Sequence, residues 1–245
     1  MIILLLLVKN RESFLILLPL RHTRQLLSIH IESDIIIVAL ENSHKPTETK
    51  DMNHILTLFE VENANRKIDR FTFEHASNKL TAIAVASDAE VTTAVAEFFK
   101  EDSSVTKIEL CGGISSAFPA KLRQQVPAIK NTPIGSVAFG FESLDSVMAY
   151  KQAYVDGEDL SQAFIYIMPG INSLRIDKIY GQTRTAIIAV PDARSLQGAA
   201  QQLYREKVHL IELYGWISNE DIASVIMHTG KGHIPVGYVG YTSVM

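Results

Sequence analysis

The chain of 245 residues contains one cysteine, Cys111, and one tryptophan, Trp216. A lone thiol excludes an internal disulfide and points to a reducing compartment, here the cytoplasm. The Cys-x-x-Cys and His-Glu-x-x-His spacings are absent. No zinc site follows from the sequence, and neither a metal nor a cofactor is expected. Charge of one sign is also scarce: 23 Lys+Arg against 27 Asp+Glu leave a formal net charge of -4. That balance argues against a nucleic-acid surface, which needs clustered positive charge. No apolar run reaches the ~20 residues of a membrane-spanning helix. Ile2 to Val8 and Phe14 to Leu20 are broken apart by Lys9, Arg11 and Glu12, and a third run, Ile35 to Leu40, follows Asp34. No positive region precedes the first run and no clean small-residue cleavage site follows, which weighs against a signal peptide.

What is present is a repetition. Thr81-Ala82-Ile83 returns as Thr185-Ala186-Ile187, and Asp88-Ala89 as Asp192-Ala193. Ile108-Glu109-Leu110 returns as Ile211-Glu212-Leu213, and Pro133-Ile134-Gly135 as Pro235-Val236-Gly237. Order is kept and spacing drifts by a few residues, so an internal duplication is expected. It organises the chain as 52–145 for one repeat, 146–161 for a connecting helix and 162–245 for the other. Residues 1–51 match neither repeat. They read as a hydrophobic leader ending in a polar, Pro46-containing linker from Ser43 to Asp51. Met52 opens directly on the first repeat, so an upstream extension with a mis-assigned start competes with a hydrophobic anchor or an extra strand.

Each repeat alternates short apolar runs with amphipathic stretches, giving β-α-β-α-β-α-β with mainly parallel strands and an α/β fold class. Asp88 and Asp192 are candidate helix N-caps, and Ser143 to Val155 a joining helix stopped at Gly157. The matching strings Lys67-Ile68-Asp69-Arg70 and Arg175-Ile176-Asp177-Lys178 read as solvated helix faces. Two arrangements satisfy a pseudo-two-fold: a closed (βα)8-like barrel, or two packed open sheets. The barrel is preferred, because Glu109 and Glu212 fall mid-strand between apolar neighbours. A lone carboxylate in a dry open sheet would cost several kcal/mol, whereas a barrel interior or inter-repeat cleft gives both a shared environment.

Ligands of parallel α/β folds gather beyond the carboxyl ends of the strands. That rim holds Cys111, Gly112, Gly113 and Ser115 in one repeat and Tyr214, Gly215, Trp216 and Ser218 in the other. The glycines permit close backbone approach, and the helix starts that follow offer N–H groups to an anion. The competing reading is tight turns, with Ser218 and Asp221 as a capping box. Glu109 and Glu212 are the candidate catalytic residues, a general acid and base pair, against a structural role bonded to backbone. Cys111 lacks an activating histidine pattern and reads as buried and inert.

The string Ile-Glu-Leu-Cys-Gly-Gly at 108–113, the Pro169-Gly170 turn, Val190 to Ala193 and Pro235 to Gly237 together resemble one family. It is the small bacterial and fungal proteins catalogued as domain of unknown function 6506. Its members are about one repeat long, so the resemblance implies a tandem fusion. The second repeat departs from it, with Tyr214 for the cysteine and Trp216 for the second glycine; the first lacks the Pro-Gly turn. The family implies no activity. The expectation is binding of a small polar or anionic molecule at the inter-repeat rim, with a partner-docking module as the alternative and the oligomeric state open.

Overall fold

The computed structural model describes residues 2–9, 12–19, 26–32, 35–41 and 52–241, and it divides the chain into two units, Met1–Lys50 and Asp51–Met245. In the first unit, β1 (Ile2–Lys9) pairs antiparallel with β2 (Glu12–Pro19), and β3 (Leu26–Glu32) with β4 (Ile35–Glu41). Ile2 to Val8 and Ile35 to Leu40 thus lie in strands, as does the second run from Phe14 to Pro19. The polar linker from Ser43 to Asp51 falls outside the described residues up to Asp51. Among the described residues, no helix is long and apolar enough to cross a membrane.

The second unit begins with β5 (Asn53–Glu60), β6 (Arg70–His75), β7 (Asn78–Val85), α1 (Asp88–Glu101), β8 (Val105–Leu110), α2 (Phe118–Gln125) and β9 (Ile134–Phe139). After α3 (Leu144–Val155) follow β10 (Leu160–Ile167), β11 (Leu174–Tyr180), β12 (Thr183–Val190), α4 (Ala193–Arg205), β13 (Leu210–Gly215), α5 (Asn219–His228) and β14 (Val236–Tyr241). All ten strands join one mixed sheet, in the order β11-β12-β10-β13-β14-β9-β8-β5-β7-β6. Read outward from the central β14–β9 pair, the two sides repeat the same order. The sheet curls into a half-barrel and stays open.

The expected closed barrel is therefore wrong, and so is the pair of separate sheets. A (βα)8 closure needs eight strands running one way. Here β9 and β14 meet antiparallel, from Gly237 opposite Phe139 to Tyr241 opposite Gly135, so the halves run in opposite directions. The charged strings also differ from expectation. Arg70 begins β6, and Arg175 to Lys178 lie in β11, each an antiparallel edge strand folded back on β7 or β12. Phe71 and Phe73 are half-buried while Arg70, Thr72 and Glu74 are exposed, the period of two that marks a strand. Ala76, at φ 53, and Gly181, at φ 57, make the tight returns.

The inner strands β5, β7, β10, β12 and β13 are buried on both faces. On the convex face, Val91, Val95 and Phe98 of α1 and Leu196, Ala200 and Leu203 of α4 cover the sheet. Truncating a side chain such as Phe98 to alanine costs about 3–5 kcal/mol. On the concave face the curl brings the halves together: Phe59 meets Phe164 with ring centroids 5.0 Å apart, and Phe73 meets Tyr166 at 6.0 Å. The α4 start matches expectation, since the Asp192 side chain accepts from Ser195 N. At α1 the N-cap is Ser87, without a side-chain bond, and Asp88 lies inside the first turn. Helix α3 stops before Gly157, whose φ of 72 suits a residue without Cβ.

Candidate functional site

The two glutamates sit on the concave face, with Glu109 0% and Glu212 3% exposed. Such carboxylates need partners, and each finds one in the opposite half. Glu212 Oε1 accepts the backbone N–H of Gly112 at 3.1 Å. Both Glu109 oxygens lie 3.2 Å from the backbone nitrogen of Gly215, which donates to them. Gly112 stands in the turn just past β8 and Gly215 is the last residue of β13, so the reach is reciprocal across the central strand pair.

The remaining partners are unequal. Glu109 also accepts from the hydroxyls of Thr57 at 3.0 Å and Tyr241 at 2.7 Å. Glu212 accepts from the Tyr214 hydroxyl. Beside Glu212 in the sheet pairing stands Phe164, where Thr57 stands beside Glu109. Counting from the matched Gly135 and Gly237, Phe139 holds the position that Tyr241 holds in the other half. Tyr214 in turn occupies the Cys111 position. Neither Phe164 nor Phe139 can donate to a carboxylate, and Tyr214 supplies Glu212 with the hydroxyl these two cannot. Burial pushes both carboxyls up, to about 7, against the opposing pull of these donors.

Each glycine is required by a different neighbour. A Cβ on Gly112 would lie 2.7 Å from Glu212 Oε1 and 3.1 Å from the Phe139 ring. At Gly215, φ is 88, and a Cβ would come within 2.4 Å of the Ile167 carbonyl oxygen. The N–H of Gly112 is already spent on Glu212, so it is not free for an external anion.

A cavity of about 380 Å³ opens beside Glu212. Cys111, Gly112, Gly113 and Phe139 form one side, and Gln162 and Phe164 another. Helix α3 roofs it with Val147, Met148, Tyr150, Lys151 and Tyr154, and the Tyr150 hydroxyl donates to Gln162 Oε1 at 2.8 Å. Glu109 and Gly215 are not among its walls. A larger groove of about 970 Å³ lies on the other flank of α3, against Tyr204, Lys207, His209 and His233, and holds none of the sequence-predicted site residues.

Of the expected rim, the structure thus gathers Glu212, Cys111, Gly112 and Gly113 around one space. Tyr214 lies behind Glu212, fully buried and stacked on Tyr166 at 5.2 Å. Trp216 packs half-buried against the core, and Ser115 Oγ accepts the N–H of Ala117 in a turn. Ser218 forms a capping box with Asp221, the competing reading of that pair. The Cys111 thiol is buried and pushed up to about 12, first by burial and then by the Glu212 charge. It receives the N–H of Glu60 at 3.1 Å. Sequence reasoning missed Thr57, Tyr241, Tyr150 and Gln162. Aligning the repeats four residues beyond Gly135 and Gly237 would have exposed the Phe139–Tyr241 difference. Among the described residues no group of three or more His, Cys, Asp and Glu is placed to hold a metal.

No curated protein matches the chain. One family does, and it matches twice, over residues 53–152 and again over 160–244, as a tandem duplication requires. On these two matches, which span most of the sequence, the chain belongs to the Family of unknown function (DUF6506).

Proposed function

We propose that this chain binds a small polar organic molecule in the cavity beside Glu212, with Glu212 exchanging the proton and Glu109 acting as the brace. In this reading the duplicated halves lie about an approximate two-fold at the β9–β14 pair, and only one of the two equivalent carboxylates serves a ligand. The single observation that carries it is the inequality of the pair. Glu109 is enclosed by donors from Thr57, Tyr241 and Gly215, while Glu212 has two donors and forms part of a cavity wall. A carboxyl raised to about 7 is poised to give or take a proton near neutrality. Apolar walls with a few convergent polar groups are what small-molecule sites share.

A thermal-shift screen of small polar compounds against wild type, Glu212→Gln and Glu109→Gln tests it. Compounds that stabilise wild type and Glu109→Gln but not Glu212→Gln support the reading. A screen in which every stabilising compound acts on Glu212→Gln as it does on wild type sinks it.

A docking module is the second reading, and one observation favours it. No side chain of α3 is fully buried, and Phe141, Met148 and Val155 are 90%, 60% and 70% exposed. Light scattering of wild type and a Phe141→Lys, Val155→Lys variant, whose altered residues lie outside the cavity wall, separates the two: a change in assembly state with unchanged ligand response favours docking.

A further inference from the structure

Resting on the Glu212 reading, we infer that the ligand is an organic cation, an amine carried on an aromatic or branched apolar body. The cavity wall holds three carboxyls, Glu60, Glu62 and Glu212, against one cation, Lys151, which is exposed on α3. The two donors to Glu212, the Tyr214 hydroxyl and the Gly112 N–H, are both neutral. None of the ion pairs among the described residues involves Glu212. A buried carboxylate without a counter-charge is held neutral by desolvation, and an ammonium group entering beside it supplies the missing partner.

The other walls suit the rest of such a molecule. Phe139, Phe164, Tyr150 and Tyr154 contribute rings to the same cavity. Aromatic faces attract cations and pack against apolar bodies. An anion would meet a wall of three carboxyls against one lysine, and the glycine N–H that would greet it already serves Glu212. The acidic lining thus reverses the anion preference that the glycine turns alone suggest.

Binding would be coupled to a proton. Of the groups facing Glu212, burial pushes the Cys111 thiol to about 12 and the Tyr150 and Tyr214 hydroxyls upward, so all three stay protonated at neutral pH. At the cavity edge, burial and Asp88 raise Glu60, while Glu62 and Lys151 complete the charged set. Glu212, raised to about 7, is the group that must ionise to receive an ammonium. Amine affinity then falls as pH drops below about 7, approaching tenfold per pH unit, while a neutral ligand shows no such slope.

The test is calorimetry on the full chain at pH 8 with 2-phenylethylamine, 2-phenylethanol and phenylacetate, in two buffers of different ionisation enthalpy. The amine is expected to bind at least about tenfold more tightly than the alcohol, with phenylacetate weakest, and at pH 6.5 to release a proton. In Glu212→Gln, checked for folding by circular dichroism, the amine preference and the proton release disappear while the alcohol still binds. If the alcohol matches the amine, or phenylacetate exceeds it, the cation assignment is overturned and the cavity reading stands. If Glu109→Gln abolishes binding and Glu212→Gln does not, the cavity reading falls. Binding of none of the three probes overturns both.

Discussion

Glu212 and Gly112 are one hundred residues apart, yet the carboxylate of the first accepts the backbone N–H of the second at 3.1 Å. That bond places a side chain from one half of the sheet directly on the turn of the other. It fixes what can stand at position 112. In Gly112→Ala the new methyl would lie 2.7 Å from the carboxylate oxygen, so either the bond or the turn must yield. We expect a loss of about 1–3 kcal/mol, read by urea unfolding. Gly113→Ala, whose nearest neighbour would be the Cys111 sulfur at 3.6 Å, is the tolerated control. Equal losses in the two variants would refute the account.

The buried carboxyls make stability depend on pH in a definite direction. Glu109 and Glu212 are raised from 4.5 to about 7, so between these values the folded chain keeps protons that the unfolded chain releases. Their contribution is complete below pH 4.5 and is lost as pH rises through 7, by roughly 3 kcal/mol per carboxyl. His54 opposes them: burial lowers it from 6.5 to about 4, so its contribution is present above 6.5 and lost as pH falls. Above pH 6.5 the glutamates act unopposed. Unfolding free energy should therefore fall between pH 6 and 8, and the Glu109→Gln, Glu212→Gln double variant should flatten that slope. A wild-type curve that is level or rising there contradicts neutral buried glutamates.

Tyr166 carries a buried hydroxyl with no hydrogen-bond partner among the described residues. Its ring is fully used, stacked on Tyr214 and touching Phe73. Tyr166→Phe keeps those contacts and removes the unpaired group, so stability should be unchanged or rise by about 1 kcal/mol. A loss beyond 1 kcal/mol in thermal or urea unfolding would mean that the hydroxyl has a partner.

Cys111 should behave as a core atom. Its thiol is buried and pushed up to about 12, so thiolate is scarce at neutral pH. Iodoacetamide at pH 7.5 should leave folded protein unlabelled and modify it at the rate of unfolding in denaturant. Rapid labelling of the native chain would reopen a nucleophilic role.

The repeat pattern was legible because matching strings such as Ile108-Glu109-Leu110 and Ile211-Glu212-Leu213 recur in order, and the α4 and α5 caps were legible because Asp192 and Ser218 act within four residues. Strand direction was not. Whether β14 meets β9 parallel or antiparallel depends on where α3 and the following turn carry the chain, and no local residue encodes it. The edge strands β6 and β11 were hidden by their charge. An edge strand exposes alternate side chains, so Arg70 and Arg175 look like a helix surface when only charge is counted. The glutamates stood out as carboxylates among apolar neighbours, but their partners did not: Tyr241 meets Glu109 across Gly135 of β9, and Gly215 comes from the other half of the sheet, neither of which local sequence encodes.

Joining both halves through β9 and β14 on a single chain has an evolutionary consequence. When two identical chains associate about a dyad, every substitution is imposed on both sides at once. Fused in tandem, the sides can be altered one at a time: Phe139 can stand where the other half has Tyr241, and Cys111 can persist while its equivalent becomes Tyr214. Either acidic residue can then acquire different partners while its twin keeps its own.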